Sequence, residues 1–187
     1  MFAGRLASIL LFVLSLGFLV CAVPSPMYGH SKAVSARGEG GRMAVLSGLE
    51  GSLRKQLDSC MRVKTADEAK VIINTVASQI KTTADSISQS GKLELDEHGK
   101  TDIAVRCASI ISLLVKIICK LTQNIGSDAV LSLCEGVRSA LQSLLVNIYS
   151  CVGDIYPLIV KKMASVSVEA ILKKDFPECA KLLGLTA

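Results

Sequence analysis

Apolar residues recur every three or four positions along most of the chain beyond residue 42, which is the repeat of an amphipathic α-helix. A first stripe predicts a helix over residues 43–62, with apolar positions Met43, Leu46, Leu49, Leu53, Leu57 and Met61. A second helix is predicted to start at Thr65, because Thr65 and Glu68 have the spacing of a capping box, and to end at Gly91. Its predicted buried face consists of Ala69, Ile72, Ile73, Val76, Ile80, Ala84 and Ile87.

Residues 101–153 are the most apolar part of the chain beyond the leader, and they predict two long helices joined by a turn at residues 124–127. Gly126 suits the left-handed conformation that ends a helix, and Ser127 or Asp128 can cap the next one. A turn this short places two consecutive helices antiparallel and side by side. The sequence therefore predicts a central helical hairpin, preceded by one long loop at residues 92–101.

The rest of the chain predicts one further long helix and a short one. The long helix runs from about Ile155 to Lys174 and ends where Phe176 and Pro177 interrupt it, and the short helix covers residues 178–183. Together these patterns predict an all-α fold. It is an up-and-down bundle of four to five helices over residues 43–187, with a disordered N-terminal segment.

The first 42 residues lack this pattern. Residues 1–22 have the three parts of a secretory signal peptide: a positive start, a short apolar run and a small-residue cleavage site after Ala22. Residues 23–42 are rich in glycine and charge, and are predicted to be a flexible segment or a propeptide. We therefore expect a secreted protein. An uncleaved N-terminal membrane anchor is the alternative, although a spanning helix needs about 20 apolar residues.

Six of the seven cysteines follow the predicted signal peptide, and an even number in an exported protein favours three disulfides. Within each helix of the central hairpin the two cysteines are about 18 or 25 Å apart, whereas bonded cysteines need Cα atoms within about 7 Å. Partners must therefore lie on different helices at similar heights in the bundle. The predicted pairs are Cys119–Cys134, Cys107–Cys151 and Cys60–Cys179.

The sequence contains few residues suited to catalysis. Its two histidines are His30 in the N-terminal segment and His98 in the predicted loop, and neither accompanies a nucleophile elbow or a glycine-rich loop. The densest group of possible metal ligands is Glu94, Asp96, Glu97, His98 and Asp102. This group lacks the pattern of a calcium loop and is predicted to be a solvated charged loop. We therefore expect no catalytic, cofactor-binding or metal site, and no enzymatic activity.

The formal net charge of +5 is mildly basic and spread along the chain. The sequence has no basic stripe of the kind that binds nucleic acid, and few aromatic residues remain beyond the leader to stack on bases or sugars. Lys162 and Lys173, in the predicted last helix, share a face with Glu169 between them. This face is predicted to be a solvated surface. The alternative is a patch that binds lipid headgroups or a receptor, which would give weak contact with a membrane surface.

The chain combines a leader beginning Met-Phe-Ala, an Arg37-Gly38 segment, an aliphatic bundle and a closing run from Tyr156-Pro157 to Phe176-Pro177-Glu178-Cys179. In this order of parts it resembles the small secreted helical proteins of basidiomycete fungi, especially those of plant pathogens such as Rhizoctonia. It is more loosely similar to fungal hydrophobic-surface-binding cell-wall proteins. The resemblance implies an exported helical bundle without a defined activity.

We therefore expect a secreted, non-enzymatic helical-bundle protein with an interaction or effector-like role at the cell surface or host interface. Its expected partner is an unknown protein or a cell-wall or lipid surface. A lipid or sterol carrier is the alternative, since the wide apolar stripes are compatible with a loosely filled interior.

Overall fold

The structure, a computed structural model, describes residues 33–185 except 93 and 164. This part of the chain contains eight α-helices. They are α1 Ala33–Cys60, α2 Ala66–Ser88, α3 Glu97–Ile125, α4 Ser127–Leu133, α5 Glu135–Val152, α6 Tyr156–Met163, α7 Val166–Asp175 and α8 Pro177–Leu182. No strand occurs among these residues, so the all-α prediction is confirmed. The described helices outnumber the four to five predicted, because two of the five predicted long helices are each broken in two and the predicted short helix adds an eighth.

α1 starts earlier than the apolar stripe predicts. The stripe indicates a helix from residue 43, but α1 begins at Ala33, within the segment 23–42 that is predicted to be flexible. The predicted signal peptide, residues 1–22, and the first part of that segment, residues 23–32, lie outside the described residues.

The start of α2 confirms the predicted capping box. The Thr65 hydroxyl accepts the amide hydrogen of Glu68 at 3.3 Å, and the Glu68 carboxylate accepts the amide hydrogens of Thr65 and Lys64 at 3.2 and 2.8 Å. Hydrogen bonds from the Lys64 and Thr65 amides hold the pKa of Glu68 below its usual value. All seven positions predicted for the buried face of α2 are buried, together with Thr83.

α3 also begins before its predicted start. The Asp96 carboxylate accepts the Gly99 amide hydrogen at 2.8 Å, and the helix is already formed at Glu97, where the sequence predicts a loop. At the other end Gly126, with φ of 90°, terminates α3 as predicted.

The central hairpin differs from the prediction. The second helix breaks at Cys134 into α4 and α5, which are bent by 52° at the break. α4 packs against α3 and α2, whereas α5 packs mainly on α2 and has little contact with α3. The turn at Gly126 therefore reverses the chain without bringing the two long helices side by side.

The helices instead form two rows. In one row α1 packs on α3 and α3 packs on α6, and in the other α2 packs on α5 and α5 packs on α8. Along the α1–α3 seam, Glu50 binds Arg106, and the Cys60 carbonyl accepts a hydrogen bond from Asn124 at 2.8 Å. Since Cys60 follows Glu50 in α1 and Asn124 follows Arg106 in α3, these two helices run parallel.

The α2–α5 seam is also parallel. A Cβ added at Gly136 would lie 3.7 Å from the Cβ of Ala77, and further along both helices the Asn147 amide donates to the Ala84 carbonyl at 2.8 Å. In an up-and-down bundle, neighbouring helices run antiparallel. α1 and α2 do so, but the two helices of the α1–α3 seam and of the α2–α5 seam do not.

The interior is aliphatic, as the scarcity of aromatic residues predicts. Phe176 is fully buried, and the rest of the core is mainly leucine, isoleucine, valine, alanine and cysteine. No single helix within residues 33–185 is long and apolar enough to cross a membrane; the bent pair α4 and α5 meets that test by length and composition together.

Candidate interaction surfaces

The six described cysteines are all free thiols, so none of the three predicted disulfides is formed: Cys119–Cys134, Cys107–Cys151 and Cys60–Cys179. Five of the six are buried, where cysteine packs as a small apolar side chain. The Cys151 thiol lies 3.5 Å from the Ile87 carbonyl, and the Cys179 thiol lies 3.9 Å from the Arg138 carbonyl. In this structure these side chains fill the core instead of bridging helices.

Burial also raises the pKa of four of these thiols and so keeps them protonated. It raises the pKa to about 11 for Cys60 and Cys134 and to about 12 for Cys107 and Cys179. Because the thiolate is the nucleophilic form, such groups react slowly at neutral pH. Cys119 is the one cysteine in the described range that is partly exposed, and burial followed by the nearby Asp175 carboxylate raises its pKa as well.

The charged loop before α3 is used mainly to start that helix. Asp96 caps α3, and Glu97 pairs with Lys100 at 3.4 Å in its first turn. His98 is exposed. Within the described residues no group of three or more histidine, cysteine, aspartate or glutamate side chains is arranged to hold a metal ion.

The lysines predicted to share a face are on two different helices. Lys162 lies at the end of α6 and Lys173 lies in α7, with a helix break between them. Both side chains are exposed, but one continuous helical face does not carry them.

The outer side of α5 is an exposed surface without charge. Between Ser139 and Gly153 the chain has no acidic or basic residue, although charged residues make up 20% of the sequence. We define the α5 face by its exposed side chains: Ser139, Ser143, Val146, Tyr149 and Ser150. Val146 and Tyr149 are 41% and 43% exposed, which is high for large apolar side chains.

Tyr149 is held in place by the turn that follows α5. Gly153, with φ of 79°, ends the helix and donates its amide hydrogen to the Tyr149 carbonyl at 2.8 Å. The chain then folds back so that the Tyr156 ring stacks on Tyr149, with centroids 4.8 Å apart. The Tyr156 hydroxyl donates to the Leu145 carbonyl at 3.2 Å, and burial, followed by Tyr149 and Cys179, raises the pKa of Tyr156.

Beside this tyrosine pair is a groove of about 490 Å³, lined by Lys92 and residues 149–153. The stacked pair places an aromatic platform at the surface, which the sequence analysis did not expect from so few aromatics. The sequence signal that could have identified this surface is the uncharged run itself, since a helix of a soluble bundle normally has charged residues on its outer side.

A second apolar surface lies where α1 ends and α2 begins. Met61 and Val71 are each 66% exposed. Two shallow grooves lie here: one of about 420 Å³ is lined by the end of α1, Met61 and α3, and one of about 310 Å³ by the end of α1, the following loop and the start of α2. We define the Met61 edge by the apolar and basic residues of these grooves: Leu57, Met61, Val63, Val71 and Ile72 with Arg62, Lys116 and Lys120.

Comparisons with known proteins give no match for this chain among family models, curated proteins or solved structures.

Proposed function

We propose that this chain is a secreted, non-enzymatic interaction protein and that the α5 face binds its protein partner. The partner is a protein that presents an uncharged surface of aliphatic and hydroxyl-bearing side chains. The observation that carries the proposal is the exposed, uncharged side of α5, with Val146 and Tyr149 at its centre and end.

The composition of the α5 face supports binding to protein. The centres of protein interfaces are depleted in charged residues and enriched in tyrosine, and a well-supported aromatic side chain often dominates the binding energy. Tyr149 is a well-supported aromatic side chain of this kind, because Tyr156 stacks on it and is itself held by a hydrogen bond to the Leu145 carbonyl. Little side-chain entropy would be lost when a partner covers a ring that is already held.

The absence of charge on the α5 face supports a neutral partner surface. A charged partner group that covers Ser139, Ser143 or Val146 would lose its hydration and meet no opposite charge on the α5 face, since Lys92 lines only the groove at the Tyr149 end. Ser139 and Ser143 are small, so a partner backbone can approach the helix closely between Val146 and the start of α5.

Site-specific photocrosslinking tests the binding face directly. A benzophenone amino acid replaces Ser143 on the α5 face, and in a matched protein it replaces Ser86 on α2. Both serines are exposed and both donate to the carbonyl four residues earlier. We expect an adduct of one defined mass from the Ser143 position when the full chain is expressed in its producing cells, and none of that mass from Ser86.

The adduct must also depend on the apolar residues of the face. Val146→Lys is expected to reduce it about ten-fold, because a cation would be buried against a neutral surface. Val105→Lys is the control, since Val105 lies on α3 and has a similar exposure of 44%. Equal adducts at both serines, or equal loss with both lysine variants, would contradict the proposed face.

Fractionation tests the secreted part of the proposal. Culture medium, cell wall and membranes are separated and the N-terminus of the recovered protein is determined by mass spectrometry. We expect the chain in the medium or wall, starting after residue 22. A chain found in membranes alone with residues 1–22 attached would contradict secretion and favour the N-terminal anchor.

A further inference from the structure

The Met61 edge exposes two large apolar side chains that the fold does not use. Met61 directly follows α1 and Val71 lies in the second turn of α2, and both are far more exposed than the other apolar residues of the edge. Val63 lies between them along the chain and is buried, so the two exposed side chains project from a packed base. Exposed apolar side chains on a stable base are suited to insertion into another apolar phase.

Basic residues surround these side chains. Lys116 and Lys120 line the groove beside Met61, and Arg62 lines the groove beside Val71. Two acids, Asp58 and Glu68, line the same grooves, and Glu68 keeps its charge although its carboxylate accepts the backbone amides of the capping box. With three cations against two carboxylates, the edge has a small excess of positive charge around its apolar projections.

We infer that the Met61 edge docks on the surface of an anionic lipid bilayer. Met61 and Val71 enter the boundary between headgroups and acyl chains, while Arg62, Lys116 and Lys120 contact lipid phosphates. This combination of inserted apolar side chains and basic neighbours is the physical basis of peripheral membrane binding.

The shape of the edge favours a bilayer over an acidic protein. Met61 and Val71 line different grooves that have no residue in common, so the apolar groups are separate projections. A fluid bilayer adapts to separate projections, whereas a protein partner would need a matching pocket for each one. The positive charge of the edge selects anionic over neutral lipid, because each basic residue near such a surface strengthens binding about five-fold.

Vesicle co-sedimentation of the purified full chain tests the inference. The vesicles consist of phosphatidylcholine alone or of phosphatidylcholine mixed with phosphatidylserine, and the salt concentration is varied. We expect sedimentation with the mixed vesicles, little with the neutral ones, and a decline as salt rises. Sedimentation that is absent, or equal with both vesicles, would overturn the inference.

Paired variants separate the two contributions. Met61→Ser with Val71→Ser is expected to weaken binding about ten-fold through lost apolar insertion, whereas Val166→Ser, at a valine that is 84% exposed on α7, leaves it unchanged. Lys116→Gln with Lys120→Gln is expected to weaken it about 25-fold, whereas Lys161→Gln with Lys162→Gln has a smaller effect. Equal effects of edge and control variants would overturn the assignment to this edge.

Two further measurements make the outcome specific. Polyglutamate and additional phosphatidylserine vesicles are compared, at equal charge, as competitors that displace the chain from the mixed vesicles. Polyglutamate should displace it less well, and equal displacement would assign the edge to an acidic protein instead. Val146→Lys should leave vesicle binding unchanged, so failure of this inference is distinguishable from failure of the α5 face.

Discussion

The α1–α3 seam and the α2–α5 seam both join two parallel helices, but they differ in what lies between them. The α2–α5 seam is aliphatic, and the side chains that hydrogen-bond across it, Asn147 and Cys151, reach backbone carbonyls. The α1–α3 seam contains the carboxylate of Glu50, which is 6% exposed and the one buried charge within the described residues.

Three groups fix that carboxylate. Arg54 donates to it at 2.6 Å from the next turn of α1, and Arg106 and Ser109 of α3 each donate at 2.8 Å. Burial raises the pKa of Glu50, but the hydrogen bonds from Arg106, Ser109 and Arg54 outweigh it and hold the pKa below its usual value. The comparison shows that packing and hydrogen bonds to backbone carbonyls hold one pair of helices, while the other pair is also aligned by a charged network at one position.

The largest expected effect comes from the aliphatic seam. Leu144→Ala removes a fully buried side chain of α5, and we expect it to lower the free energy of unfolding by about 3 kcal/mol through lost burial and a cavity. Urea denaturation followed by circular dichroism measures it. Val146→Ala, on the exposed side of the same helix, serves as the control and should cost less than about 1 kcal/mol.

The charged network should contribute less than a core leucine. Glu50→Ala is expected to cost about 2 kcal/mol, because Arg106 and Ser109 lose their shared acceptor while the arginine remains accessible to water. Arg54→Ala should cost less than about 1 kcal/mol, since Arg54 is largely exposed and its ion pair is screened. If Glu50→Ala costs as much as Leu144→Ala, the two seams do not differ as described.

The cap of α2 allows a local interaction to be compared with both seams. Thr65→Ala removes the acceptor for the Glu68 amide and is expected to cost about 1 kcal/mol in the same urea experiment. Thr82→Ala, at an exposed position within α2, should be neutral or slightly stabilising, because alanine is the better helix former. A loss at Thr82 equal to that at Thr65 would mean that the cap is not the cause.

Acid should weaken the α1–α3 seam selectively. The folded pKa of Glu50 is lowered, so its contribution is fully present above the unfolded value of about 4.3 and is lost as pH falls through the folded pKa. The stability difference between the wild type and Glu50→Gln should therefore shrink below about pH 4.3. Glu68 remains in both proteins and keeps part of the acid dependence. A difference that stays constant from neutral to acid pH would contradict this assignment.

The smallest expected effect is at Cys119, which is partly exposed beside the α1–α3 seam. Cys119→Ser should change the free energy of unfolding by less than about 0.5 kcal/mol, whereas Cys107→Ser, in the core, should cost more. A thiol reagent should modify Cys119 first in the folded protein and all six described thiols after unfolding without a reductant. If none of them reacts after unfolding, all six are disulfide-bonded, and peptide mapping without a reductant would show whether the pairs are the three predicted ones.

Local signals in the sequence predict local structure well. The spacing of Thr65 and Glu68 predicts the start of α2, and its apolar repeat predicts the buried face, because both depend on residues within a few turns of one another. Gly126 likewise marks the end of α3. The break at Cys134 has no such clear signal, because the nearby Gly136 lies within α5, and packing of α4 against α3 and α2 accompanies the break.

The candidate surfaces and the Glu50 network depend on residues far apart in the chain. Glu50 is a single acid within an apolar stripe, and its partner Arg106 lies 56 positions away. Tyr149 and Val146 lie within the apolar run that predicts a central helix, and nothing local to that run marks them as exposed. Their exposure follows from α5 packing on α2 instead of α3, which no local pattern encodes.

Each seam pairs one helix that ends before residue 89 with one that begins after residue 96. A cut in the connection between these two parts of the chain would therefore leave neither fragment with a complete seam. Each fragment would retain an apolar surface that only the other fragment matches. The structure thus implies that the severed halves, mixed in buffer, should reassemble into a nicked molecule with native-like helicity. Such fragment complementation would make the region around Asp96 a natural split point for a reporter built from this protein.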